Sequence, residues 1–183
     1  MCLLRKVPFG PGINYHIIEH LKKIVDRLSP MDRYCTLMFD EMSLEAGLQY
    51  DKHTDYVFGL EDFGVERNPS SFADHVLTFM IRGIRKKYKQ PICFYFIKGT
   101  TKTHQLVECI KEVVQNILST GLNIVATVSD QGSTNVAAIN VLMEKTHQYC
   151  LEKKIENQYN GYFIHDHDII HIYDPPHLLK SIC

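Results

Sequence analysis

The 183-residue chain has no excess of either charge: 20 Lys and Arg face 21 Asp and Glu, giving a net charge of −1. That excludes a uniformly basic nucleic-acid coat while leaving room for a local basic patch. No apolar run approaches the roughly 20 residues that span a bilayer, so no membrane partner is expected. A secretory core is missing at the N-terminus, where Arg5, Lys6, Pro8 and Gly10 interrupt the apolar residues, and an intracellular protein is the expectation. The six cysteines, at 2, 35, 93, 109, 150 and 183, contain no CxxC pair, so zinc fingers and redox dithiols lack their local signature. Cys35 and Cys93 lie in apolar runs, where a thiol acts as a small hydrophobe, and reduced structural cysteines are expected. Internal repeats, low-complexity tracts, GxGxxG and GxSxG are also lacking. Lys98-Gly99-Thr100-Thr101 resembles the tail of a P-loop, but no glycine lies at the required spacing before Lys98.

What remains is an ordinary soluble composition, 45% hydrophobic and 22% charged, enough for one domain or one and a fragment of a second. Ile17, Ile18, Leu21, Ile24, Val25 and Leu28 predict a helix over Asn14–Leu28, with Asn14 as its cap and Ser29-Pro30 as its stop. Strands are expected at Tyr34–Asp40, Tyr56–Leu60, Ile92–Ile97, Asn123–Asp130 and Ile169–Asp174. Further helices are expected over Phe72–Lys87, capped by Ser70 or Ser71, over Leu106–Leu118, stopped by Gly121, and over Thr134–Tyr149. Lys153–Gly161 reads as a polar loop, Pro175-Pro176 as a break, and residues 177–183 as the start of a helix. Strands mostly separated by helices imply an α/β fold, a mixed sheet with helices on both faces.

The informative chemistry is where the aspartates fall. Asp40, Asp130 and Asp174 each follow directly on an apolar run, and sites in open α/β sheets form beyond the carboxyl ends of parallel strands. If the first and fourth strands are parallel neighbours, about 4.8 Å apart, Asp40 and Asp130 converge there. Two carboxylates that close repel, so one is protonated or a cation lies between them. Mg²⁺ accepts one or two carboxylates and keeps positions open for phosphates. The competing reading for each is a turn residue at the end of its strand. A second attraction is His165-Asp166-His167-Asp168 with His171, Asp174 and His177, a set that could bind zinc or iron or form only a solvated hairpin. His104 and His147 read as solvated helix residues. Arg82, Arg85, Lys86, Lys87 and Lys89 read as a solvated helix end that could also touch phosphates.

Three blocks then match a known family. Leu37-Met38-Phe39-Asp40-Glu41-Met42, Val128-Ser129-Asp130-Gln131-Gly132 with Asn135, and Tyr173-Asp174-Pro175-Pro176-His177-Leu178-Leu179-Lys180 resemble, in order, the catalytic core of P-element-type transposases, including those that carry a THAP DNA-binding domain. The resemblance runs over essentially the whole chain. It implies a ribonuclease H-like fold, a mixed five-stranded sheet flanked by helices. It divides the chain into a leading helix and linker, residues 1–30, and the first part of the transposase core, residues 31–183. Asp40 and Asp130 would be the first two catalytic acids and the ligands of two Mg²⁺ (or Mn²⁺) ions that serve cleavage and strand transfer.

In the family a third acid lies on a later helix, a GTP-binding domain is inserted after the block ending at Lys180, and a zinc-coordinating THAP module precedes the core. None of these is expected in the 183 residues, so the chain is expected to be a fragment inactive alone, unless Glu41, Asp174 or another acid completes the site. Transposon-end DNA is the expected partner, homo-oligomers are expected of the full-length form, and a nuclear location follows from the resemblance alone. The alternative is a non-catalytic DNA- or protein-binding derivative of a transposase, and a weaker one is a histidine-cluster metalloprotein.

Overall fold

The computed structural model describes residues 10–52, 55–64 and 67–174. Pro175–Lys180, His177 among them, and the helical start expected over 177–183 lie outside the described residues, as do Cys2 and Cys183. A two-residue strand β1 (Gly12–Ile13) leads into helix α1 (Tyr15–Val25). The Asn14 side chain caps α1 as expected, accepting from the backbone N–H groups of His16 and Ile17 at 3.1 and 3.3 Å. Ile18, Leu21 and Val25 form its buried stripe. The helix ends at Val25 rather than Leu28, and Pro30–Arg33 form a 3₁₀ turn.

Strands β2 (Tyr34–Ser43), β3 (Gln49–Asp51), β4 (Tyr56–Phe58), β5 (Leu60–Asp62), β6 (Arg67–Phe72), β7 (His75–Gly83) and β8 (Lys89–Ile97) follow. Then come α2 (Thr103–Leu118), β9 (Asn123–Ser129), α3 (Ser133–Lys153), β10 (Tyr162–Ile164) and β11 (His167–Tyr173). The strand expected over Tyr56–Leu60 is two strands, parted at Gly59, whose φ of +105° suits glycine alone. At the centre of the main sheet five strands run in the order β11-β9-β2-β7-β8. β2 pairs antiparallel with β7, and β7 with β8, while β9 lies parallel to both β2 and β11. These five form the mixed centre of a nine-stranded sheet, the type of sheet that the family resemblance implies, although β7 takes the place of the strand expected over Tyr56–Leu60. β10 extends one edge, β5 and β6 the other, and β3 and β4 form a separate hairpin.

Two expectations are overturned. The sequence implies helices on both faces of the sheet, but α1, α2 and α3 join one core on a single face, and among the described residues the other face is left half-exposed. Phe72–Lys87 is not a helix: Ser70 and Ser71 lie in β6, and the segment's centre is strand β7. Val76, Leu77, Met80 and Ile81 fit a helical stripe, yet Leu77, Phe79 and Ile81 alternate into the core, each at most 1% exposed. β7 lies between β2 and β8 and is apolar on both faces, so its alternation is blurred. Its Val, Thr, Phe and Ile fit a pleated surface. The basic residues 82, 85, 86, 87 and 89 therefore crown the β7–β8 hairpin instead of ending a helix, and all five are exposed. Arg85 reaches Asp32 at 3.8 Å.

The core forms where one sheet face meets the helices. Cys35, Leu37 and Phe39 of β2 and Leu77, Phe79 and Ile81 of β7 join Ile18 and Leu21 of α1, Ile110 and Val113 of α2 and Ile139 and Leu142 of α3 in one buried cluster. α2 and α3 pack on one another. On the other sheet face the described residues leave Met38, Thr78, Met80 and Val128 half-exposed. Cys35, Cys93, Cys109 and Cys150 are buried free thiols, and burial pushes the Cys35 and Cys109 thiols up to about 12, which makes them inert structural groups.

Candidate active site

Parallel pairing of β2 with β9 sets Leu37 against Thr127 and Met38 against Val128. Two residues further along each strand stand Asp40 and Asp130, on neighbouring backbones about 4.8 Å apart where the pairing holds. The two strands then diverge. β2 does not end at Asp40, as the sequence suggests, but continues to Ser43 on β7, with Asp40 opposite Thr78. β9 stops at Ser129 and turns into α3. The divergence opens the crevice expected at such a point.

Asp40 and Asp130 line two clefts at once. One, of about 290 Å³, also takes in Glu41, Ser43, His75, Thr100 and the start of α3 from Gly132 to Asn135. The other, of about 260 Å³, lies on the half-exposed sheet face with Met38, Thr78, Met80 and Asp174. The carboxylate pair thus separates the two clefts and is reached from both.

Each acid is fastened by its neighbours. The Gly132 N–H donates to Asp130 Oδ1 at 3.0 Å, and Asn135 Nδ2 donates to the same oxygen. A Cβ at position 132 would stand 3.1 Å from Asp130 Oδ1, a reason for glycine where the loop closes over the carboxylate. The Glu41 N–H donates to Asp40 Oδ1 at 2.9 Å, and Thr78 Oγ1 donates to the Asp40 carbonyl at 3.3 Å. Glu41 itself accepts from the Thr101 N–H at 3.0 Å, tying β2 to the loop before α2. Asp174 is placed by its own N–H, which donates to the Ser129 carbonyl at 2.8 Å and so continues the β9–β11 ladder.

The donor set, carboxylate oxygens from the ends of two adjacent strands, is of the type that a hard divalent cation such as Mg²⁺ takes. Among the described residues, no three His, Cys, Asp or Glu side chains group closely enough to hold a metal ion. Two carboxylates by themselves fill only part of an octahedral shell.

The histidine-rich segment is a hairpin. His165 and Asp166 take positive φ values of 46° and 62° and turn β10 into β11, a conformation that His and Asp adopt more readily than most residues. His167 Nδ1 lies 2.7 Å from the His165 carbonyl oxygen. Asp168 accepts from the Asn160 N–H at 3.4 Å. His171 turns inward: Nδ1 is 2.9 Å from Thr127 Oγ1, which also bonds the buried Tyr162 hydroxyl at 2.8 Å. Burial pushes the His171 imidazole down to about 4, so it is neutral and structural. His104 and His147 are exposed, as expected of solvated helix positions. The sequence gives no hint of Ser43, Asp74, His75 or Thr100 near the acids. His75 falls inside the segment misread as helical, and only the nine-residue register of β2 on β7 brings it there.

A family model described as "TNP-like, RNase H N-terminal domain" matches residues 9–143, a span that contains both Asp40 and Asp130. The "Transposable element P transposase" of Drosophila melanogaster is 31% identical over 110 residues, covering 60% of this chain and 12% of that protein. "DNA transposase THAP9" of Homo sapiens is 23% identical over 142 residues, covering 76% of this chain and 16% of that protein. Among solved structures, "Drosophila P element transposase strand transfer complex" aligns with a TM-score of 0.66 and 25% identity, covering 98% of this chain and 34% of that chain. The chain therefore spans a small part of the curated relatives' length, 12% and 16%. Its element order, its two parallel acid-bearing strands and these likenesses agree: the chain belongs to the TNP-like family with the RNase H N-terminal domain and is similar to part of P-element-type transposases.

Proposed function

We propose that Asp40 and Asp130 hold Mg²⁺ or Mn²⁺ in the first part of a transposase core that cuts and joins transposon-end DNA. The observation that carries this reading is the β2–β9 pairing, which ends two residues before each acid, together with the two clefts that both acids line. When bound, the cation supplies charge stabilisation for a phosphodiester and lowers the pKa of an attacking water or 3′-hydroxyl. The chain's own contribution is positional. Gly132 and Asn135 fix the Asp130 carboxylate and the Glu41 N–H fixes that of Asp40, which limits reorganisation as charge develops. The exposed β7–β8 hairpin, with Arg82, Arg85, Lys86, Lys87 and Lys89, stands at the far end of β2 from Asp40 and supplies phosphate contacts remote from the chemistry. GTP and THAP-type DNA-end recognition belong to this proposal as features of a longer transposase, as do its oligomers and a nuclear location.

A second reading, a non-catalytic DNA- or protein-binding derivative, draws support from the absence of a three-ligand group among the described residues. Calorimetry with Mn²⁺ separates the two. The first reading gives weak binding, since two carboxylates fill only part of an octahedral shell, and loses it in Asp40→Ala and in Asp130→Ala. Binding unchanged in both variants contradicts it. Incubation of the chain with transposon-end DNA and Mn²⁺ is expected to give no nicking. Nicking that disappears in Asp130→Ala would mean that Glu41 or Asp174 completes the site.

A further inference from the structure

Ser43 and His75 face one another across the β2–β7 pair, beyond the level of Asp40, and both line the cleft of about 290 Å³ that holds the acids. The His75 Nε2 is 3.2 Å from Ser43 Oγ, and its Nδ1 is 2.8 Å from Asp74 Oδ1. Asp74 is itself pinned. The Gly99 N–H donates to its Oδ1 at 2.6 Å, its own N–H donates to the Ile97 carbonyl at 3.1 Å, and its carbonyl accepts from the Leu44 N–H at 2.7 Å. The start of β7 is thus stapled to the ends of both β2 and β8. His75 first, then Gly99, hold the Asp74 carboxyl below the usual carboxylate range.

This arrangement selects an imidazole state. An ionised Asp74 accepts from Nδ1–H and orients the ring, leaving Nε2 toward Ser43. With the ring neutral, Ser43 donates to Nε2. With the ring charged, Nε2–H donates to Ser43, whose hydroxyl hydrogen is then available to an acceptor in the cleft. The cleft otherwise presents Asp40, Glu41 and Asp130 to any entering anion. Among the described residues lining it, His75 is the one side chain able to carry positive charge. A phosphodiester drawn toward the carboxylate pair needs donors opposite those acids, and His75 with Ser43 provides them in a fixed geometry.

We propose that Ser43 and His75, oriented by Asp74, form a contact for one backbone phosphate of a DNA strand entering the carboxylate cleft. The contact deepens the reading of Asp40 and Asp130 given above and rests on it for the choice of a polynucleotide ligand. Asp74 is a positioning residue, because it acts through the ring. In the alternative, the three side chains only fasten the β7 start and touch no ligand.

Fluorescence anisotropy of a labelled single-stranded oligonucleotide, with the 183-residue chain and without added metal, tests the contact. His75→Gln is expected to weaken binding roughly 3- to 10-fold, on the scale of one partly exposed charge-assisted hydrogen bond. It should also flatten the logarithmic salt dependence by about 0.7, the share of one phosphate on a single strand. His75→Lys retains most of the affinity, Ser43→Ala loses a smaller part, and the His75 ring nitrogen resonances move on adding oligonucleotide but not nucleoside. Equal affinity and salt slope in His75→Gln overturn the proposal, as does failure of the unsubstituted chain to bind. The metal reading fails separately: Mg²⁺ should add affinity that Asp40→Asn removes and His75→Gln leaves in place. Absence of that increment in the unsubstituted chain counts against the carboxylate site and not against the phosphate contact.

Discussion

Two regions carry metal-ligand residue types, and the fold treats them oppositely. Asp40 and Asp130 are far apart in sequence, yet parallel pairing of β2 on β9 delivers them to the same clefts. His165, Asp166, His167, Asp168 and His171 crowd into seven residues of sequence, yet a hairpin turn disperses them. His165 and Asp166 are exposed at its tip, and His171 is folded beneath against Thr127. Ligand density along a chain is therefore a poor guide to ligand density in space. What matters is whether strands converge, and β-hairpins send neighbouring side chains to opposite faces.

That contrast is sharpened first by the scaffold. Leu37 is fully buried on β2, three residues before Asp40. Leu37→Ala should cost about 3–5 kcal/mol in urea unfolding, because β2 pairs with both β7 and β9. A much smaller loss would show that the acids do not rest on a rigid strand. Next is His171, which packs 6.3 Å from the Phe39 ring and 4.6 Å from that of Tyr173 and bonds Thr127. His171→Ala should destabilise by about 1–3 kcal/mol through lost packing and a poorly satisfied Thr127 hydroxyl. Stability unaffected by His171→Ala would return it to the list of candidate ligands.

The same histidine fixes the sign of a pH effect. Its imidazole is held down to about 4 by burial, against an ordinary value of 6.5. The unfolded chain therefore takes up a proton that the folded chain refuses. The contribution is fully present above pH 6.5 and is lost as pH falls toward 4. After allowance for partial exposure it is on the order of 1 kcal/mol, readable as a falling melting temperature across that window. His171→Phe should flatten the slope, and an unchanged slope would place the responsible group elsewhere. Smallest of all, His165→Ala and His167→Ala should each shift stability by no more than about 0.5 kcal/mol, as expected of surface substitutions, and leave Mn²⁺ binding intact.

Much of this was legible in the sequence, and the failures have physical causes. α1 announced itself through Asn14 and its apolar stripe, and α2 through the stripe from Leu106 to Ile117, because each helix buries a single face. Asp40 and Asp130 were legible because each follows a β-rich run in a parallel pair. β7 was not, since Val76 and Met80 on the half-exposed face lie among Leu77, Phe79 and Ile81 on the core face, and a strand apolar on both sides has no clean period of two. The helix misread there hid the start of β7, and with it Asp74 and His75, whose place beside Ser43 depends on antiparallel register alone. The short strands β1, β3, β5 and β10 span two or three residues each, too few for any periodicity to register.

The central claim is that the acids converge and the histidines do not. Mn²⁺ broadens nuclear resonances near its binding site, so a titration of the labelled chain followed by amide spectra locates the ion directly. The account predicts broadening centred on Asp40, Glu41 and Ser129–Gly132, abolished in Asp130→Ala, with His165–Asp168 unaffected. Broadening centred on His165–His171, and surviving in Asp130→Ala, would contradict it.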